Sequence, residues 1–268
     1  MSSTELHGRI ALVTGSTAGI GLAIARDLAA RGARVIINGR RAERVREIVA
    51  DLNREHGSTP RAVGISGDAA DQSTIEALLA ESRRAFNADP DLVVVNAGRG
   101  LNGSVISSDT EQWEEMIRTN LLGAALLIRA AAGRMLAESD RLGSSGGAKW
   151  IERPRDIIVI GSVVGRHVSP FSSMYGATKF GVHGMTEGVR RELAPKGIRV
   201  SLIEPGFVVS EFQGVAGYED AWFKGVVDRI GPVLEPEDVA RTVAFIAAQP
   251  ARVHIGDVLI RPTRQDYP

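Results

Sequence analysis

Short apolar runs alternate with longer stretches of mixed character along the whole chain. Arg9-Ile-Ala-Leu-Val-Thr14, Arg34-Val-Ile-Ile-Asn38, Arg61-Ala-Val-Gly-Ile-Ser66, Asp91-Leu-Val-Val-Val95, Ile157-Ile-Val-Ile160 and Arg199-Val-Ser-Leu-Ile203 read as buried strands, and Asp257-Val-Leu-Ile-Arg-Pro262 as a last one. Helical patterns lie between them: Leu22 to Arg31, closed by Gly32; Ala42 to Asn53; Ser73 to Phe86; Thr110 to Arg134; a helix after Tyr175; and one opening at Pro236. Strand and helix units in regular alternation predict an α/β fold, a doubly wound parallel sheet in a single domain over 1–268.

The pattern fails in two places. The stretch from about 138 to 154 is rich in glycine, serine and charge, and reads as an inserted surface loop. It enters the fifth strand from its amino end, away from the crevice where open α/β sheets bind ligands, so no catalytic role is assigned to it. From Phe207 to Leu234 the chain carries Phe207, Phe212, Tyr218, Trp222 and Phe223 without clear periodicity. A long irregular segment at a strand's carboxyl end reads either as a lid closing on the substrate, with Gly214 and Gly217 absorbing the motion, or as a satellite cluster packed into the domain.

The candidate chemistry sits at the strand ends. Gly15, Gly19 and Gly21 follow the first strand and open the first helix, the setting in which backbone can approach a pyrophosphate and a helix start favours its charge. The second strand ends in Gly39-Arg40-Arg41, with no carboxylate for an adenosine ribose. A guanidinium at Arg40, and secondarily at Arg41, suits a 2′-phosphate, so NADP(H) is expected over NAD(H). Asp68 is placed to meet an adenine amino group, while Asp71 can cap the following helix. Asn96-Ala97-Gly98 is small enough for a cofactor ribose to lie against. Asn120, in a leucine- and alanine-rich turn, either joins backbone groups or holds a water that relays protons. Ser162 stands just past the fifth strand, and Tyr175 and Lys179 stand one helical turn apart on one face. A nearby ammonium favours the phenolate, which suits Tyr175 for proton transfer with an oxygen that Ser162 holds.

Composition removes several classes. Thirty-two basic residues balance thirty-two acidic ones, so no global field draws the chain to nucleic acid or an anionic membrane. The absence of cysteine excludes disulfides, thiolate metal sites and cysteine nucleophiles. No metal site is expected. The first residues show no basic end followed by an apolar core, and no run reaches the ~18 residues of a spanning helix, so a soluble, cytoplasmic protein is expected.

Thr14-Gly-x-x-x-Gly-x-Gly21, Asn96-Ala-Gly98, Asn120, Ser162, Tyr175-x-x-x-Lys179 and Pro205-Gly206, in this order, resemble the short-chain dehydrogenase/reductase family over nearly the whole chain. The resemblance implies a Rossmann fold with Tyr175 as catalytic acid/base and Lys179 lowering its pKa and binding the nicotinamide ribose. It also implies that Ser162 polarises the substrate oxygen and Asn120 completes a proton relay. Cofactor contacts are implied at Gly15, Thr17, Gly19, Ile20 and Gly21, at Asn96, Ala97 and Gly98, and at Pro205, Gly206, Val208 and Ser210; threonine is commoner at the last. The implied activity is hydride transfer between NADP(H) and a secondary alcohol or ketone, of the carbonyl reductase or small hydroxy-acid dehydrogenase type, in a homodimer or homotetramer. A 3-oxoacyl-thioester reductase and a non-catalytic dinucleotide-binding module are the alternatives. The C-terminus, from Val253 to Pro268, lacks the glycine-rich ending of acyl-carrier-protein ketoreductases and points toward small hydroxy acids and assorted carbonyls.

Overall fold

The computed structural model describes residues 5–55, 60–143, 154–167, 170–210, 214, 216, 217 and 219–267, without the side chains of 139–143 and 220. The apolar runs form seven parallel strands: β1 Ile10–Val13, β2 Arg34–Gly39, β3 Ala62–Ser66, β4 Leu92–Val95, β5 Arg155–Ile160, β6 Ile198–Pro205 and β7 Asp257–Ile260. They lie in the order β3-β2-β1-β4-β5-β6-β7. Ala11 pairs with Val35 on one side and Leu92 on the other, so the connections change direction at β1 and β4 and open a crevice at their carboxyl ends.

The strands are apolar almost throughout because helices cover both faces. On β1, Ala11 and Val13 join the core beneath α1 (Gly19–Ala30), α2 (Ala42–Glu55) and α8 (Pro236–Ala247). Ile10 and Leu12 point the other way, into the core beneath α3 (Gln72–Phe86), α5 (Ala124–Gly143) and α6 (Ser173–Leu193). At the amino ends of the strands, opposite the crevice, Asp156 accepts from Arg9 at 2.7 Å and from Arg199 at 2.6 and 2.8 Å, and Arg9 also reaches Asp91 at 2.9 Å. All four side chains are buried, and together they tie β1, β4, β5 and β6.

Five expectations need correction. The helix expected from Thr110 to Arg134 is a short α4 (Trp113–Ile117), a π-helical turn at Arg118–Gly123, and α5 running to Gly143. Residues 138–143 of the expected insertion therefore continue a helix; Glu138, Arg141 and Leu142 are good helix formers, and the glycine-rich part starts only at Gly143. Residues 144–153 lie outside the described ones. In the aromatic segment, Asp220–Ile230 is a regular helix, α7, and Val208 bridges to Leu234. Phe212 and Tyr218 lie outside the described residues. Asp71 precedes α3 but makes no side-chain cap; its carboxylate pairs with Arg118 instead. Finally, the helix over Thr110–Glu138 is long and apolar enough by length and composition to cross a membrane, contrary to expectation. Its Leu127, Ile128, Ala131 and Met135 are buried against the sheet, as in a core helix.

Candidate active site

A cavity of about 700 Å³ opens at the carboxyl ends of β1, β4, β5 and β6. One end is the glycine loop. Gly15 (φ 62°) and Gly19 (φ 48°) have left-handed conformations that favour glycine, and a Cβ on Gly21 would stand 2.2 Å from the Gly15 carbonyl. Ala18 offers no side-chain cap to α1, and the first turn of that helix has no acidic residue. Uncapped N–H groups at a helix start that lines a cavity suit a phosphate. This is how the chain fits a dinucleotide: Gly15, Gly19, Ile20 and Gly21 line the cavity, with Ser210 across from Gly19.

Thr14, which opens the glycine motif, and Asn38 and Ser16, to which the sequence reading gave no role, build this loop. Thr14 Oγ1 accepts from the amides of Asn96 and Ala97, both at 3.2 Å. Asn38 Oδ1 accepts from Gly15 N at 3.4 Å, and Ser16 Oγ donates to Val13 O at 2.8 Å. The Asn96 side chain joins them, donating to the carbonyls of Thr14 and Gly15 at 2.9 and 3.2 Å, so its amide shapes the loop while Ala97 and Gly98 line the cavity.

Thr17, Arg40, Arg41 and Asp68, all expected to contact a cofactor, do not line the cavity. Thr17 is packed against Gly39, where a Cβ would stand 2.4 Å from its methyl group. Arg40 and Arg41 are exposed, and Arg40 reaches Glu115 at 3.5 Å. Asp68 accepts from Ala70 N at 2.9 Å and Arg118 at 2.7 Å. Partial burial alone would raise its pKa, but these donors outweigh that and hold its carboxyl below the ordinary range.

The catalytic candidates converge at the other end. Residues 175 and 179 stand one turn apart on α6 and line the cavity with Ser162, as spacing predicts. Lys179 Nζ donates to Ile160 O at 3.0 Å and lies 5.9 Å from the centre of the Tyr175 ring. Burial pushes its ammonium down to about 8. Ser162 caps a short 3₁₀ turn, Val163–Gly165, accepting from Val164 N at 3.3 Å.

Behind Ser162 lies His183, which sequence reasoning missed although it is four residues beyond Lys179, on the same stripe of α6. Its ring fills the space beside two glycines: a Cβ at Gly161 or Gly165 would stand 2.5 or 2.4 Å from Nε2. The Ser162 amide faces that nitrogen at 3.5 Å. Burial lowers the His183 pKa, with Lys179 and Arg166 acting the same way and Glu204 and Asp257 opposing.

Asn120, in the π-helical turn, does not line the cavity. Its Oδ1 accepts from Arg99 N at 2.8 Å, and Nδ2 donates to Arg99 O at 2.9 Å and to Thr178 Oγ1 at 3.0 Å. Of the two roles left open for Asn120, these contacts are the backbone-joining one: they fix the loop past Gly98 to the helix of Tyr175.

Pro205, Gly206 and Val208 line the cavity floor. They are propped from the chain's end, since Gln265 Oε1 accepts from Phe207 N at 3.0 Å and leaves no room for a side chain at Gly206. Phe171, Trp222 and Tyr267 add aromatic wall. Trp222 lies 6.2 Å from Phe207 between ring centres, so both expected roles of the aromatic segment share residues.

Residues 9–219 match the family model described as short chain dehydrogenase. An uncharacterized oxidoreductase of Staphylococcus aureus strain MW2 is 30% identical over 97% of this chain and 99% of the relative. One from Staphylococcus saprophyticus is 31% identical over 96% and 99%. Among solved structures, the closed form of a serine dehydrogenase complexed with NADP+ superimposes with a TM-score of 0.82, at 32% identity over 96% of each chain. A 3-ketoacyl-(acyl-carrier-protein) reductase from Brucella melitensis complexed with NADH has the same TM-score at 22% identity, over 97% of this chain and 99% of that one, which speaks to the fold alone. With its parallel sheet, glycine loop and Ser162, Tyr175 and Lys179 around one cavity, this chain is an oxidoreductase that belongs to the short-chain dehydrogenase family.

Proposed function

We propose that the protein moves a hydride between NADP(H) and a secondary alcohol or ketone, as a carbonyl reductase or hydroxy-acid dehydrogenase. The observation that carries this reading is that Ser162, Tyr175 and Lys179 line the same cavity as the glycine loop. Bound NADP(H) would supply or accept the hydride. The chain's own residues handle the oxygen and its proton. Ser162 Oγ holds the substrate oxygen by a hydrogen bond, and in reduction the Tyr175 hydroxyl gives its proton to that oxygen as negative charge develops. The Lys179 ammonium then stabilises the phenolate, whose charge in turn offsets the burial that disfavours the cation. Asn120 keeps the groups in register through Arg99 and Thr178, and a water on this path would return the proton. In oxidation each transfer reverses.

Preference for NADP(H) is supported by the lack of a carboxylate after β2, by Arg40 and Arg41 in its place, and by the NADP+ in the serine dehydrogenase. Glu115 is a partner that Arg40 exchanges for a phosphate, and both side chains are exposed enough for the exchange to be inexpensive. The test is turnover of a ketone and alcohol panel with NADPH and NADH. A higher kcat/KM with NADPH is expected, and Arg40→Ala should erase a tenfold or larger part of it. Equal loss for both cofactors would remove Arg40 from the phosphate site.

The same reading makes the protein a homodimer or homotetramer. Ile117, Leu122 and Phe180, on α4, the π-helical turn and α6, are 41%, 52% and 43% exposed and gain cover from a second copy. A monomer by light scattering at micromolar concentration would contradict it.

A further inference from the structure

Three cations and, among the described residues, no carboxylate line the cavity: Arg99, Lys179 and Arg229. Two are committed. Lys179 is buried beside Tyr175 and bonded to Ile160 O. Arg99 holds Glu115 and Gln112 (2.7 Å) through its two terminal nitrogens, which leaves only its buried Nε without a partner.

Arg229 is placed differently. It ends a stripe of α7 that faces the cavity through Trp222, Gly225 and Val226, at the three- and four-residue spacing of one helix face. Its guanidinium donates to Asp266 at 2.8 Å, and both side chains are largely exposed, 56% and 70%. Solvent screens such an exposed pair, so another carboxylate can displace Asp266 at little cost. Inside the cavity that carboxylate would gain a planar, bidentate donor with less competition from water, beside the apolar wall of Trp222 and Val226.

We propose that Arg229 anchors a substrate carboxylate and that Asp266 is the partner this carboxylate displaces, which makes the substrate an oxo acid or hydroxy acid. The proposal rests on the carbonyl–alcohol reading above and narrows its substrate class. The reacting carbon loses or gains hydride as before; the carboxylate takes no part in bond making. Tyr267, the next residue after Asp266, also lines the cavity, so exchange at Arg229 is felt by the wall next to it.

The experiment compares 2-, 3- and 4-oxo acids of four to six carbons with their methyl esters, using NADPH. Wild-type protein should favour one acid over its ester. In Arg229→Ala the acid-to-ester ratio of kcat/KM should fall at least tenfold, through KM for the acid, and Arg229→Lys should restore part of it. Asp266→Asn should keep the ratio or raise it, because it removes a competitor. If Arg229→Ala and Asp266→Asn depress acid and ester alike, the pair only clamps the tail and the proposal falls. A raised KM for NADPH in Arg229→Ala would instead make this cation a cofactor contact and overturn it too. Should esters and neutral ketones be reduced while Arg229→Ala leaves the ratio unmoved, the anchor is wrong and the carbonyl reading stands. No turnover of any oxo compound overturns both.

Discussion

In the proposed reaction Lys179 serves chemistry at the expense of stability. A buried lysine keeps its charge poorly, and here burial lowers its pKa from 10.5 to about 8. Between these values the unfolded chain binds a proton that the folded chain does not, so this residue's contribution to stability rises as pH climbs from about 8 to about 10.5. Lys179→Met removes the titration while filling similar space. Melting temperatures of the two proteins should therefore converge in favour of wild type over that range, and parallel curves would show that Lys179 is not held as described. The sequence made Tyr175 and Lys179 legible because a spacing of four is a local property of a helix. It could not show that the ammonium rests on Ile160 O, because that contact joins α6 to β5.

At the scale of elements, what was hidden depends on distance along the chain in the same way. The π-helical turn that carries Asn120 leaves no trace in an otherwise continuous apolar period. Asp68 and Asp71 find Arg118 on an element 47 to 50 residues away. Helix α7, by contrast, carries a local signal: Trp222, Phe223, Val226, Val227 and Ile230, at i, i+1, i+4, i+5 and i+8, share one helix face, and reading the whole span from Phe207 to Leu234 as one segment diluted that period. The 3₁₀ turn after β5 is a sharper case, since its shape depends on a side chain from α6. Gly165→Ala would push a methyl group to within 2.4 Å of His183 Nε2, so the ring or the turn must move. Overpacking of this kind costs about 1–3 kcal/mol. Denaturation should show that loss, kcat should fall because Ser162 shifts with the turn, and adding His183→Ala should recover part of the stability. Wild-type stability in Gly165→Ala would mean the ring is not wedged there.

Over the whole molecule, the alternation of apolar runs with helical patterns was enough to read the sheet, because covered strands must be apolar and βα units must be parallel. The devices that hold its two ends were not readable. Arg9, Asp91, Asp156 and Arg199 form one buried cluster only after four strands are side by side. Likewise Gln265 meets Phe207 only after the last residues fold back under the cavity floor. These distant ties leave the carboxyl ends of β1, β4, β5 and β6 free to carry the site. The account depends most on Tyr175 being the group that exchanges the substrate's proton. The direct measurement is steady-state oxidation of NADPH by Tyr175→Phe with the best ketone of the panel, alongside titration of NADPH binding. Loss of kcat by a hundredfold or more with cofactor affinity held within a few-fold is expected; turnover close to wild type would contradict the assignment.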